Sequence, residues 1–175
     1  ELRISFAISF PLSANAFTSS KRFTDSTIFF SASALGHMSR CIVANNGSNG
    51  TYGAITADSG PPSSVTVENC TVYGNTGGSG VSQAHSSVVT VRNSIIFGND
   101  GPEIYGAPSV TYSDIEGGFT GTGNIDADPV FVDAANDDYS LQVSSPCINI
   151  GDPSSDLDSD DTVADIGAYA YDLSD

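Results

Sequence analysis

The chain has no tryptophan, one methionine, three cysteines and five Lys or Arg among its 175 residues. Three cysteines without paired spacings supply neither a disulfide framework nor a zinc cluster. Positive charge is scarcest where it would matter most. Arg92 is the last basic residue, and residues 100–175 carry 17 Asp or Glu, which sets the net charge at −16. A segment of that kind repels phosphate, so nucleic acid and anionic membranes are excluded as partners. No apolar run approaches the roughly 20 residues of a membrane span. No 3.6-residue period is sustained, and abundant Gly, Ser, Thr, Asn and Val disfavour helices.

What the chain does have is a repeat. Val65-Thr-Val-Glu-Asn-Cys-Thr-Val-Tyr-Gly-Asn75 matches Val89-Thr-Val-Arg-Asn-Ser-Ile-Ile-Phe-Gly-Asn99 at an offset of 24, with six of eleven positions identical. A period in the low twenties signifies stacked units that bury their faces only against one another. Cys41-Ile-Val-Ala-Asn-Asn46 extends the match upstream, and Val110-Thr-Tyr-Ser-Asp114 extends it downstream at an offset of 21. Apolar residues alternate within each unit, as in strands with one buried face. Val65, Val89 and Val110 are expected to form one inner column, and Val67, Val91 and Tyr112 the next. Thr66, Thr90 and Thr111 should point outward, as should Glu68 and Arg92. Asn69, Asn93 and Asp114 are expected at a left-handed corner, each bonding its own backbone. Cys41 and Cys70 share a repeat position and should stack as small buried residues, with Cys147 in the core.

These features predict an all-β fold, a parallel β-helix with a C-terminal closing segment. A β-sandwich also accommodates short, evenly spaced strands, but the aligned corners favour the solenoid. Residues 41–120 read as rungs, with Tyr52-Gly-Ala-Ile-Thr56 and Gly80-Val-Ser-Gln-Ala84 as matching third strands. Residues 121–175 read as the acidic closing segment. Residues 1–40 read as an N-terminal cap, a leader remnant ending in Ala14-Asn15-Ala16, or a degenerate first rung.

From about Ser109 the chain resembles a known family. Gly121-x-Gly-Asn-Ile-Asp-Ala-Asp-Pro-Val-Phe-Val-Asp133, Asp138-Tyr-Ser-Leu141, Ser145-Pro-Cys-Ile-Asn-Ile-Gly151 and Asp165-Ile-Gly-Ala-Tyr169 follow in order. The series is similar to the C-terminal end of bacterial secreted right-handed parallel β-helix proteins, relatives of the pectate-lyase-like superfamily. The resemblance implies right-handedness, secretion and a surface or matrix setting, and it implies no activity. Where that family reads Asp-x-Asp-Gly with a following Pro-Arg, this chain has Asp158-Ser-Asp-Asp161. Where the family's closing motif ends in Glu, it has Ala170.

Three kinds of site are open on these residues. Asp156, Asp158, Asp160 and Asp161 place oxygens at alternating loop positions, a pattern that converges on Ca²⁺. A solvated acidic turn is the competing reading, and any Ca²⁺ would be structural. Tyr73 and Phe97 share a repeat position and, turned outward, form a short aromatic stripe on which sugar rings can stack, with a polysaccharide or a host or matrix glycan as partner. The competing reading is that they cover the corner of the coil or contact the N-terminal segment. Catalysis would need paired carboxylates, or a base among carboxylates. Asp137-Asp138 is the nearest carboxylate candidate, yet nothing in the sequence places a partner opposite it. Arg92, stacked with Glu68 as an exposed pair, sits in no acidic cluster, so no catalytic residue is assigned. The expected function is a non-catalytic, secreted or cell-surface module for adhesion or glycan contact. The alternative is a fragment of a polysaccharide lyase or glycoside hydrolase acting on acidic polysaccharide, its catalytic residues upstream.

Overall fold

The computed structural model describes strands at residues 8–9, 15–18, 22–23 and 28–30, and then residues 35–47, 53–58 and 64–172. The leader reading of residues 1–16 falls mainly outside that set. Among the described residues, fifteen short strands wind through five coils. The first holds β1 (Ile8–Ser9), β2 (Asn15–Thr18) and β3 (Arg22–Phe23). The second holds β4 (Ile28–Phe30), β5 (Leu35–Ser39) and β6 (Ile42–Ala44). The third holds β7 (Ile55–Ala57), β8 (Ser64–Glu68) and β9 (Thr71–Tyr73), and the fourth β10 (Val81–Gln83), β11 (Val88–Arg92) and β12 (Ile95–Phe97). The fifth holds β13 (Ile104–Tyr105), β14 (Ser109–Thr111) and β15 (Asp114–Ile115). Every strand pairs in parallel with its counterpart one coil away, giving three five-stranded sheets. We call these A (β1, β4, β7, β10, β13), B (β2, β5, β8, β11, β14) and C (β3, β6, β9, β12, β15). Beyond them lie a 3-10 turn (Ala134–Asn136) and an antiparallel hairpin of β16 (Phe131–Asp133) and β17 (Asp138–Leu141).

Alternation along each strand fills the interior. Val43, Val72, Ile96 and Ile115 enter from sheet C, Val65, Val67, Val89, Val91 and Val110 from sheet B, and Ile55 and Val81 from sheet A. Each is at most 3% exposed, so each contributes about 1.5–3 kcal/mol of apolar burial. The matching third strands are in register, Ile55 against Val81. Cys41 and Cys70 are buried free thiols, as is Cys147.

One register differs from the sequence reading. Val110 pairs with Val91, not Val89, and Thr111 pairs with Arg92. The last coil is shorter, with an offset of 19 in place of the 21 read from the sequence. The left-handed corner consequently falls on Tyr112 (φ 47°), in line with Asn93 (φ 48°), Asn69 (φ 46°) and Arg40 (φ 52°). Asp114 is not a corner residue; it opens β15 opposite Ile95.

Two polar ladders run up the stack beside the apolar core. In one, the Asn46 side-chain amide donates to Asn75 Oδ1 (2.8 Å), Asn75 donates to Asn99 Oδ1 (2.7 Å), and Asn99 donates to the Glu103 carboxylate. Each acceptor also takes the backbone N–H of the residue below it. In the other, the Cys41, Cys70, Ser94 and Ser113 side chains donate to the carbonyls of Ser39, Glu68, Arg92 and Thr111, two residues back. Ser94 Oγ accepts from Cys70 N and Ser113 Oγ from Ser94 N. Chains of buried hydrogen bonds reinforce one another and fix register. Asn124 ends the second ladder by accepting from Ser113 N, and Phe119 packs on the end of the core.

Candidate functional site

Sheet C differs from an ordinary solvent-facing sheet in what it turns outward. One outer row is Ile42, Thr71, Ile95 and Asp114, and the next is Ala44, Tyr73 and Phe97. A face this apolar must be covered. Residues 126–172 cover it. Tyr139 and Ala168 pack on Ile42 and Ala44, while Leu141, Cys147 and Ile166 pack on Ile95.

The segment is fastened at the Asn corner. Asn93 Oδ1 accepts from Asp152 N (2.7 Å), and its amide donates to Ser155 Oγ (3.1 Å). Asn69 donates to the Asp165 carbonyl (3.2 Å). Gly167 N donates to Asn93 O (2.9 Å) and Ala168 N to Thr71 Oγ1 (3.1 Å). The corner side chains therefore serve the closing segment and not their own backbone, which corrects the sequence expectation. The φ > 0 geometry was legible; the partners, 59 to 96 residues away, were not.

Charge follows the same logic. Arg92 reaches Asp152 (3.5 Å) and also pairs with Glu68, which in turn meets His37 at 3.0 Å. Arg40 lies 3.7 Å from the buried carboxylate of Asp158. Arg92 thus lies among carboxylates: the Glu68 pair follows from their shared repeat position, and the Asp152 partner comes from the closing segment, which the sequence does not announce. Asp152 is held below the usual carboxylate range by hydrogen bonds from Ser154, with Arg92 contributing. Asp165 is raised by burial, though Tyr171 N and Asn149 N donate to it at 2.6 and 2.7 Å. Burial also pushes Asp114 up to about 6, against the bond from Ala127 N and with the charges of Asp126 and Asp128 adding to the shift. The Cys147 thiol, 3.3 Å from Asp114 Oδ2, is pushed up by burial and by that carboxylate. Glu103 is pushed up to about 7 by burial, although Asn99 donates to it, with Glu116 adding to the rise.

The four aspartates of the acidic loop are dispersed. Asp158 is buried and accepts from Asp165 N (2.7 Å), Asp160 accepts from Thr162 N and Oγ1, and Asp156 and Asp161 are exposed. Among the described residues no three His, Cys, Asp or Glu side chains gather as an ion-holding group. Asp137 accepts from Asn45 (2.7 Å) and the Tyr139 hydroxyl (3.2 Å), which ties the hairpin to sheet C. Asp138 caps Ser140 N (3.0 Å).

Cover is incomplete at the second outer row. Tyr73 and Phe97, in register on adjacent strands, are half-buried and border a depression of about 410 Å³ with Phe131, Asp128 and Gln142. Phe131 stands edge-on to Tyr73, with centroids 5.4 Å apart, and edge-on to Tyr139 at 5.5 Å. Gly98 (φ 71°) lies against Tyr73, where a Cβ would meet ring atom Cε2 at 3.2 Å. Beside Phe131, Val130 is held at φ 54° with Asp128 accepting its N–H (2.9 Å). A β-branched residue in that region is strained by about 1–3 kcal/mol. Sequence reasoning had reached Tyr73 and Phe97. It missed Asp128, Phe131 and Gln142, whose one signal was the alternation in Pro129-Val-Phe-Val-Asp133.

Sheets of parallel strands stacked in coils, with side-chain ladders between them, define a β-helix solenoid. The chain belongs to the right-handed β-helix family, whose profile, described as a right-handed β-helix region, matches residues 5–117. No curated protein and no solved structure matches the chain.

Proposed function

We propose that the chain is a non-catalytic, extracellular β-helix module that contacts glycan on the outer face of sheet C. One observation carries the reading: the depression between Tyr73, Phe97 and Phe131, with polar groups at its edge. Its volume of about 410 Å³ lies within the roughly 300–1,000 Å³ of small-ligand sites. Aromatic walls beside a few polar groups suit sugar rings, which present apolar C–H faces and hydroxyl edges. The rings are set by packing and need little reordering on binding, which favours affinity. The non-catalytic part rests on the occupation of the best acid–base candidates. Arg92 is held by Glu68 and Asp152, and Asp137 by Asn45 and Tyr139.

The test is retention on a panel of neutral, acidic and amino polysaccharides, with and without Ca²⁺, with cleavage products assayed in parallel. Retention without products is expected, weakened by Phe97→Ala while the unfolding transition stays cooperative. New reducing ends or unsaturated uronates would replace this reading with a lyase or hydrolase. A calcium titration in the same series checks the role proposed for the Asp156–Asp161 loop, with a higher unfolding midpoint as the expected sign.

A further inference from the structure

We infer that the depression on sheet C selects an amino sugar, a hexosamine unit with a free, protonated amine, over neutral and acidic sugars. The inference rests on the glycan-contact reading and adds the ligand's chemical class. It follows from the inventory of donors and acceptors around the site. Of the polar side chains lining it, Asp128 is an acceptor only. Its Oδ1 already takes the Val130 N–H, and a carboxylate retains further lone pairs for a ligand. Gln142 donates one amide N–H to the Phe131 carbonyl (2.7 Å) and keeps its second N–H and its amide oxygen, a neutral donor and an acceptor, for a ligand. Tyr73, Phe97 and Phe131 add aromatic rings, whose electron-rich faces attract an ammonium group. The side-chain donors of the lining, Gln142 and the Tyr73 hydroxyl, are neutral, acceptors and π-faces are present, and among the described residues no cationic donor lines the depression.

The wider field agrees. Arg92 is the last basic residue of the chain. Arg92 and Arg40 are engaged by Glu68 and Asp152 and by Asp158. Asp126 and Asp133, both exposed, flank the lining segment. A uronate carboxylate would enter this field without a counter-charge and would be repelled. A protonated amine is attracted, and it donates three hydrogen bonds where the site offers acceptors. The aromatic walls meanwhile accept the apolar face of the sugar ring. A depression bordered by one carboxylate suits one charged group, with neighbouring sugars of the polymer running along the exposed surface.

The experiment is titration of the whole chain with glucosamine oligomers, their N-acetylated counterparts, oligogalacturonate and short polylysine, at low and moderate salt. The expected result is binding of the free-amine oligomer at least about tenfold tighter than of its N-acetylated form, the equivalent of one charge-assisted hydrogen bond. Asp128→Asn should abolish that preference, since Asn keeps an acceptor for Val130 N–H but loses the charge. Phe97→Ala should weaken both glucosamine forms alike. Equal binding of N-acetylated or uronate oligomers, sensitive to Phe97→Ala but not to Asp128→Asn, would overturn the amino-sugar assignment and leave glycan contact standing. Polylysine binding as tightly, with the same Asp128 dependence, would assign the site to a basic peptide and overturn the inference. Binding of none of the four would overturn both readings.

Discussion

In the coil stack one position does the same job in every turn. Asn46, Asn75 and Asn99 pass one hydrogen-bond chain upward, Val67, Val91 and Val110 fill one column, and Arg40, Asn69, Asn93 and Tyr112 turn one corner. In residues 126–172 no position is used twice. Tyr139 fills one space, Ile166 another, Asp152 meets Arg92 and Asp158 meets Arg40. The coils are specified by repetition, which a single sequence displays against itself. The closing segment is specified by complementarity to an outer face that the coils must first create. Both bury apolar surface to a few percent exposure, so the difference lies in how the information is stored and not in how well each part packs.

The comparison can be broken or sharpened by substitution. The largest effect is expected from the closing segment. Tyr139→Ala empties the space over Ile42 and Ala44 and orphans the bonds to Asn45 and Asp137. A loss of about 3–5 kcal/mol is expected in denaturant unfolding, and a loss below about 1 kcal/mol would mean that the hairpin is only loosely docked. Next comes Asn75→Ala in mid-ladder, which strands Asn46 on one side and Asn99 on the other. A loss of about 2–4 kcal/mol follows from several buried groups left unpaired.

pH sharpens the contrast, since each region holds a buried carboxylate. Glu103 ends the Asn ladder, and Asp114 lies beneath the closing segment. Both pKa values are raised in the folded chain, to about 7 and about 6, so the folded state binds these protons more tightly than the unfolded one. Their contribution is fully present below about pH 4 and is lost as pH rises through those values. Asp165, also raised, adds in the same direction. Asp152, lowered, does the reverse, and its contribution is lost only in stronger acid. The unfolding midpoint should therefore rise on acidification from about pH 8 to about pH 5. Glu103→Gln with Asp114→Asn should flatten that rise. The smallest effect is expected at Arg92→Met, about 1 kcal/mol or less at moderate salt, because the Glu68 and Asp152 pairs are partly exposed.

The same contrast explains what was legible in advance. The parallel stack, the Val65–Val89 and Val67–Val91 columns, the stacked thiols and the matching third strands follow from self-similarity, and the structure has them. The register at Val110 did not, because the shorter fifth coil keeps the alternation while moving it by two residues, and an alternating pattern looks the same after a shift of two. Asn46, Asn75 and Asn99 were aligned in the repeat, yet their ladder depends on the side chains turning inward, which spacing alone does not specify. Tyr73 and Phe97 were legible as an aligned aromatic pair because they repeat. Asp128, Phe131 and Gln142, which convert that stripe into a depression, occur once each and lie in a segment whose docking site is itself a product of folding. Asp158, an ion-ligand candidate by spacing, lies beside Arg40 and accepts the Asp165 N–H, two contacts that the spacing does not announce.

The central claim is that residues 126–172 are docked on sheet C as part of the fold and so shape the depression on its outer face. Hydrogen exchange resolved to single amides tests this directly. Ile166, Gly167 and Gly151, bonded to Cys147 O, Asn93 O and Ala164 O, should be protected about as strongly as Thr71 and Ile95 within the coils. Exchange of those three at the rate of an open chain, while Thr71 and Ile95 stay protected, would show sheet C uncovered and would contradict the account.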